Sequence, residues 1–171
     1  FCDGGTGLPT PRGNVSNNMV IVGGSGAAYG ITLSYCTYQN VYFNSVNITG
    51  THPTAGFGLY VNGTATNINI IDNIFANPGG GYAYYIDGPI GGIDTTDYND
   101  LYAAGTNLAY WNGVMTSLSA LQTASGKDDN SISFNPAFYS PTNLRVLNGQ
   151  LDSAGTPLAA VADDFEGEVR N

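Results

Sequence analysis

Gly58-Leu59-Tyr60-Val61-Asn62, Ala83-Tyr84-Tyr85-Ile86-Asp87 and Leu108-Ala109-Tyr110-Trp111-Asn112 share one pattern, and each is followed by glycine, at Gly63, Gly88 and Gly113. Val61 to Ile86 and Ile86 to Trp111 are steps of 25 residues. Gly30-Ile31-Thr32-Leu33-Ser34 falls into the same register, with Leu33 28 positions before Val61. A second set lies between these: Val46-Asn47-Ile48, Asp72-Asn73-Ile74 and Asn99-Asp100-Leu101, in steps of 26 and 27. Two strand-length patterns per repeat, at a period in the twenties, describe a chain whose coils cannot bury their inner faces alone and must stack.

The reading is all-β: a right-handed parallel β-helix with one short helix on a loop near the C-terminal end. Side chains alternate across a strand. Ile31, Leu33, Leu59, Val61, Tyr84, Ile86, Ala109 and Trp111 are therefore expected to point inward. Thr32, Tyr60, Tyr85 and Tyr110 are expected outward. In the second set Ile48, Ile74 and Leu101 are expected as an inward stack, with Asn47, Asn73 and Asp100 laddering beside them. The competing all-β fold is an antiparallel sandwich, which needs turn signals every 8 to 12 residues. Asn62-Gly63, Asp87-Gly88 and Asn112-Gly113 would suit hairpins, but their even spacing reads better as equivalent corners.

One domain spans 1–171. Residues 1–18 read as an irregular N-terminal segment or cap, 19–113 as regular coils, and 114–171 as a helix-bearing loop and C-terminal coil or cap. Within the last part, Thr116 to Gly126 has leucines three apart, a Ser/Thr start and a glycine stop, which predicts the helix. Ser131 to Phe138 and Leu144 to Leu147 read as strands of a final, atypical coil.

The composition agrees with a β fold. There are 24 Gly and 12 Tyr, while charged residues make up only 10%, against about 25% in an average soluble domain. Only four residues are Lys or Arg, and the formal net charge is −9. Nucleic acid and anionic membranes are thereby excluded as expected partners, since phosphate binding needs a basic patch. No apolar run approaches the roughly 18 residues of a membrane-spanning helix, so no membrane insertion is expected. The chain begins with Phe1, which reads as a processed or excised piece of a longer precursor. Cys2 and Cys36 allow one disulfide, fitting an oxidising compartment; the alternative is a small buried Cys36 with Cys2 incidental.

The stretch Asn67 to Asn77 resembles the recurring coil sequence of pectate-lyase-like right-handed β-helix proteins. Asp97-Tyr98-Asn99-Asp100-Leu101-Tyr102 resembles a motif that follows it in bacterial surface members. Ser131 to Phe138, Asp152 to Leu158 and Asp164 to Arg170 are similar to the closing segment of the choice-of-anchor secreted type, with Glu166 where that pattern has a second Asp. The resemblance covers roughly residues 28 to 171. It implies the β-helix fold and export with surface attachment, hence a secreted or cell-surface location. It implies no single activity.

Lyases of this fold need clustered carboxylates for Ca2+ and a basic residue to take a proton from the sugar. Asp94, Asp97 and Asp100, Asp128 and Asp129, and Asp163, Asp164, Glu166 and Glu168 are the acidic groups. The last four are the Ca2+ candidate, the alternative being a C-terminal turn with Arg170 as local partner; no other cofactor is expected. Arg12, Lys127, Arg145 and Arg170 all lie outside the coil that holds Asp94 to Asp100 and do not share its face by spacing. Hydrolysis needs paired carboxylates, and the pattern singles out no pair from Asp72, Asp87 and Asp100. His52 reads as a turn residue. No catalytic residue is assigned.

Tyr60, Tyr85 and Tyr110 are the binding or interface candidates, with Tyr42 and Tyr82 expected nearby. A row of exposed aromatic area marks a contact surface for sugar or protein, unless the helix-bearing loop folds over it. The expected function is a non-catalytic extracellular or cell-surface structural or adhesive module, self-assembling into a homo-oligomer or filament. The alternatives are a polysaccharide-active enzyme, either a Ca2+-dependent lyase or a glycoside hydrolase, and a glycan-binding module.

Overall fold

The computed structural model of the chain describes residues 2, 3, 5 and 7–170; the side chains of Cys2 and Asp3 lie outside that description. After the short β1 (Cys2–Asp3), the first coil runs through β2 (Gly13–Ser16), β3 (Met19–Val22) and β4 (Ala28–Ser34). The second is β5 (Thr37–Tyr42), β6 (Ser45–Ile48) and β7 (Gly56–Asn62). The third is β8 (Thr66–Ile71), β9 (Ile74–Asn77) and β10 (Tyr82–Asp87). The fourth is β11 (Ile93–Asp97), β12 (Asp100–Ala103) and β13 (Ala109–Trp111). Equivalent strands stack in parallel as three sheets: β1-β4-β7-β10-β13, β2-β5-β8-β11 and β3-β6-β9-β12. The chain is a parallel β-solenoid of about four turns.

In the first sheet the expected register holds. Thr32 pairs with Tyr60, Tyr60 with Tyr85, and Tyr85 with Tyr110. All eight residues expected inward are buried, including Leu33, Leu59, Tyr84 and Ala109 at 0% exposure.

The other two sheets correct the expectation. The second sheet was not foreseen, and its first strand lies inside the segment expected to be irregular: Gly13 to Ser16 pairs in register with Gln39 to Tyr42. In the third sheet Ile48 and Leu101 are inward and fully buried as expected, but they are not in one register with Ile74, which is only half-buried; the stack through all four coils is Val20, Val46, Phe75 and Leu101. The ladder is Asn18, Asn44, Asn73 and Asn99, not Asn47, Asn73 and Asp100. Asn18 Nδ2 donates to Asn44 Oδ1 at 2.8 Å, Asn44 Nδ2 to Asn73 Oδ1 at 2.9 Å, and Asn73 Nδ2 to Asn99 Oδ1 at 3.0 Å.

This ladder explains the corner between the second and third sheets. Each ladder residue follows a left-handed one: Asn17, Phe43, Asp72 and Tyr98 have φ of 57, 52, 58 and 55°. Such backbone is disfavoured for residues with a Cβ. The ladder amides offset it by satisfying carbonyls the turn leaves open, as Asn73 Nδ2 does for Val41 and Ile71.

The Asn-Gly pairs behave in two ways. Asn62-Gly63 and Asp87-Gly88 are solenoid corners, as expected. Asn112-Gly113 instead makes a hairpin, returning β14 (Val114–Met115) antiparallel to β13. Helix α1 (Leu118–Ser125) follows, with Ser117 Oγ accepting from Ala120 N and Gly126 closing it at φ 64°. Its Leu121 is fully buried in the core cluster, so the helix covers the C-terminal end of the solenoid. From there the chain extends the ladder through Ile132, which bridges Asp100 in parallel. The expected strands of a final coil are instead an antiparallel hairpin of β15 (Phe138–Ser140) and β16 (Asn143–Val146). Residues 135–170 then run back along the third sheet as a strap, from Asn135 beside Tyr102 to Arg170 on Asn17. Among the described residues no helix is long and apolar enough to cross a membrane.

Candidate functional site

The outer face of the first sheet carries six aromatic rings from four coils: Tyr29, Phe57, Tyr60, Tyr82, Tyr85 and Tyr110. The three expected tyrosines form one column. Tyr60 and Tyr85 stack at 5.6 Å between centroids and Tyr85 and Tyr110 at 4.3 Å, with interplanar angles of 24 and 12°. Tyr29, Phe57 and Tyr82 form a second column, in register through Tyr29–Phe57 and Phe57–Tyr82. The columns touch: Phe57 and Tyr82 meet Tyr85 edge-on at 5.1 and 5.0 Å. The face stays partly open, with Tyr29 45% exposed, because α1 packs on the core's end.

Of the second column only Tyr82 was expected beside the first; Tyr29 and Phe57 were not, although the signal was present. Tyr29-Gly30, Phe57-Gly58 and Tyr82-Ala83 are aromatic residues each followed by a very small one. A Cβ on Gly30 would stand 2.4 Å from Val46 Cγ1 and from Gly58 O. That position thus points inward against the third sheet, and the residue before it is forced outward. Tyr42, by contrast, belongs to the second sheet, paired with Ile71.

Two further groups of polar side chains lie elsewhere. At the capped end Asp128 is 1% exposed and accepts from Tyr84 Oη at 2.8 Å, Ser131 Oγ at 2.7 Å and Thr96 Oγ1 at 3.0 Å. Burial pushes its carboxyl up, and these hydrogen bonds oppose the rise. Asp129 is exposed.

Under the strap, a cavity of about 240 Å3 is lined by Phe43, Asp72, Tyr98, Asp100, Gly155 and Arg170, among others. Asp72 Oδ1 accepts from Thr156 N at 2.7 Å and Asp100 Oδ1 from Phe134 N at 2.9 Å. The Oδ2 atoms of both are buried without a hydrogen-bond partner among the described residues. Burial raises Asp72 to about 6, against the Thr156 N–H and Arg170, and raises Asp100 to about 7, against the Phe134 N–H. Sequence spacing had singled out no such pair.

The remaining acidic candidates are structural. Asp94 is in the second sheet, bound to Arg12 at 3.0 Å, and its carbonyl accepts from Lys127 Nζ. Both cations were expected to lie away from this coil; stacking brings Arg12 across 82 positions. Asp97 accepts from Asn130 N and Nδ2. The Ca2+ candidates Asp163, Asp164, Glu166 and Glu168 do not gather: among the described residues no three His, Cys, Asp or Glu could hold a metal. Asp164 instead accepts from the N–H groups of Glu168 and Glu166, which hold its carboxyl down. Glu166 pairs with Arg145. His52 Nδ1 accepts from Ala55 N at 3.0 Å and braces its own turn. Cys36, fully buried, is disulfide-bonded; the Cys2 side chain of the expected bridge lies outside the described residues.

These features define a parallel β-solenoid with an aromatic outer face, one capped end and a strapped flank. Comparison with known proteins finds no matching family model, no matching curated protein and no matching solved structure.

Proposed function

We propose that this chain is a non-catalytic, secreted or cell-surface solenoid module that adheres to carbohydrate through its tyrosine face. The observation that carries the reading is the continuous cluster of six rings, built from all four coils, on one partly open sheet face. A soluble chain rarely spends so much aromatic area on a surface without a contact to make. Rigid rings on stacked strands offer that contact with little side-chain entropy to lose. The Cys36 disulfide suits an oxidising compartment, and the resemblance to choice-of-anchor β-helix proteins supports surface attachment.

Axial growth into a filament fits less well. Leu121 of α1 plugs the C-terminal end of the core and β14 covers the last strand of the first sheet, so a second copy would have to displace both to continue that sheet. The test is co-sedimentation with insoluble polysaccharides. Wild type should pellet with at least one of them, and Tyr85→Ala, which removes the ring between Tyr60 and Tyr110, should stay in the supernatant while keeping its β-sheet circular dichroism. Equal pelleting of the two proteins contradicts the reading.

Glycoside hydrolysis is the second reading, and one observation favours it: Asp72 and Asp100 line one cavity and are both raised, to about 6 and about 7, so that one proton can be held near neutral pH. Against it, the free Oδ2 atoms lie beneath the strap, out of reach of a substrate. Release of reducing ends by wild type, lost in Asp100→Asn, would establish it.

A further inference from the structure

We propose that the first-coil end of the tyrosine face is a subsite for one pyranose unit of an uncharged glycan, seated against Tyr29 and Tyr60. The proposal rests on the glycan reading above and narrows it to a place and a class of sugar.

The argument begins with ring faces. The apolar C–H side of a sugar packs on the face of an aromatic ring, where the quadrupole is negative, and not on its edge. In a stacked column the inner faces are used by the neighbouring rings. Tyr85 has Tyr60 on one side and Tyr110 on the other. Only the two end rings retain a face. At the far end Tyr110 pairs in register with Val114 of the returning hairpin, an aliphatic cover. At the near end the register partner of Tyr60 is Thr32, a much smaller residue. The difference in size leaves a depression of about 350 Å3, lined by Tyr29, Thr32, Ser34, Tyr60 and Asn62. That is at the lower end of the volumes of small-ligand sites.

Its walls and floor suit a sugar. Tyr29 is the most exposed ring of the face, at 45%, and meets Tyr60 at 79°, so the two rings form a corner. Thr32 and Ser34 supply hydroxyls. Asn62 Oδ1 is buried without a hydrogen-bond partner among the described residues. A sugar hydroxyl would satisfy it.

Charge selects the class. The four cations are engaged elsewhere: Arg12 and Lys127 at Asp94, Arg145 on Glu166 and Arg170 on Asn17. The residue next to Asn62 in its row is Asp87, and the whole chain carries −9. A uronate would find no counter-charge here; an uncharged pyranose needs none.

The experiment is isothermal titration with β-1,4-linked gluco-, xylo- and mannohexaose and with hexagalacturonate. The proteins are wild type, Tyr29→Ala, Tyr60→Ala, Tyr60→Phe and Tyr110→Ala, each first checked for an unchanged unfolding midpoint. At least one neutral hexaose should bind wild type. Tyr29→Ala and Tyr60→Ala should weaken it about tenfold or more, while Tyr60→Phe and Tyr110→Ala stay within about twofold. Should Tyr60→Ala fail to fold, Tyr29→Ala carries the test, since its ring is at the rim. If wild type binds but Tyr110→Ala is the variant that loses affinity, or hexagalacturonate binds best, the subsite is overturned and the glycan reading stands. If wild type binds none of the four, the glycan reading falls and the subsite with it.

Discussion

Tyr84 Oη donates a 2.8 Å hydrogen bond to Asp128 Oδ2 with both side chains sealed from solvent, joining the third coil to the loop that follows the capping helix. The same carboxylate is where the asparagine ladder ends. Asn99 N donates to Ser131 Oγ, and Ser131 Oγ donates to Asp128 Oδ1. Every ladder amide turns its oxygen toward the first coil and its NH2 toward the fourth. The aligned dipoles thus present their positive ends to the buried carboxylate. Hydrogen bonds in such chains polarise one another.

Tyr84→Phe removes one donor and leaves the ring in place. It should lower unfolding free energy by about 1–3 kcal/mol, read from urea unfolding at constant pH. A change within experimental error would mean that the buried pair contributes no net stability.

Substitutions along the ladder should grow more costly inward. Asn18, the first-coil rung, is exposed, and Asn18→Ala should cost about 1 kcal/mol or less. Asn73 is 1% exposed and bonds Asn44, Asn99, Val41 and Ile71. Asn73→Ala strands several of these groups and should cost about 3 kcal/mol or more. Equal costs at the two rungs would contradict a cooperative ladder.

Stability should fall as pH rises toward neutrality. Asp72 and Asp100 are raised in the folded chain from 3.8 to about 6 and about 7. The folded state therefore holds protons that the unfolded chain has released. The stabilising contribution is complete below pH 3.8 and is lost as pH rises through 6 and 7. Asp128, also raised, acts in the same sense, whereas Asp164, held down, acts oppositely and only at more acid pH. The urea midpoint should be higher near pH 5 than near pH 8, and the unfolding free energy with it, by on the order of a few kcal/mol. Asp100→Asn should flatten the profile. A midpoint that climbs over this range would show that these carboxyls are ionised and well solvated.

The first sheet was legible in the sequence because its outward tyrosines and corner glycines recur in steps of 25 and its strands alternate from Ile31, Leu59, Tyr84 and Ala109 onward. The third sheet was legible as a repeat but not in register. Asp72-Asn73-Ile74 looks like Val46-Asn47-Ile48, yet the ladder joins Asn44 to Asn73 across 29 positions. An extra three residues in that coil, relative to the 26 on either side, defeat alignment by similarity. The second sheet showed only in Asn67-Ile68-Asn69-Ile70, whose strand alternates; in the preceding coil Gln39 occupies an inward position beside the outer-face Asn40, which ladders with Asn14 and Asn69. Polar residues on both faces erase the alternation that marks a strand. Of the candidate site, the tyrosine column was visible. The partnership of Asp72 and Asp100 was not, because only the returning strap buries them together.

The glycine column gives a packing test. A Cβ on Gly58 would lie 2.4 Å from Ala83 O and 3.0 Å from Phe75 Cβ. Gly58→Ala should destabilise by about 1–3 kcal/mol. Gly26→Ala, where a Cβ meets nothing within 4 Å, should stay within about 0.5 kcal/mol of wild type. Thermal unfolding of the two variants side by side decides it.

The central claim, that the tyrosine face holds uncharged carbohydrate, is tested most directly by native electrophoresis through gels containing soluble polysaccharides. Migration should be retarded by at least one neutral polysaccharide, such as a β-glucan, xylan or mannan, and not by polygalacturonate. Unretarded migration through every neutral gel would contradict the account.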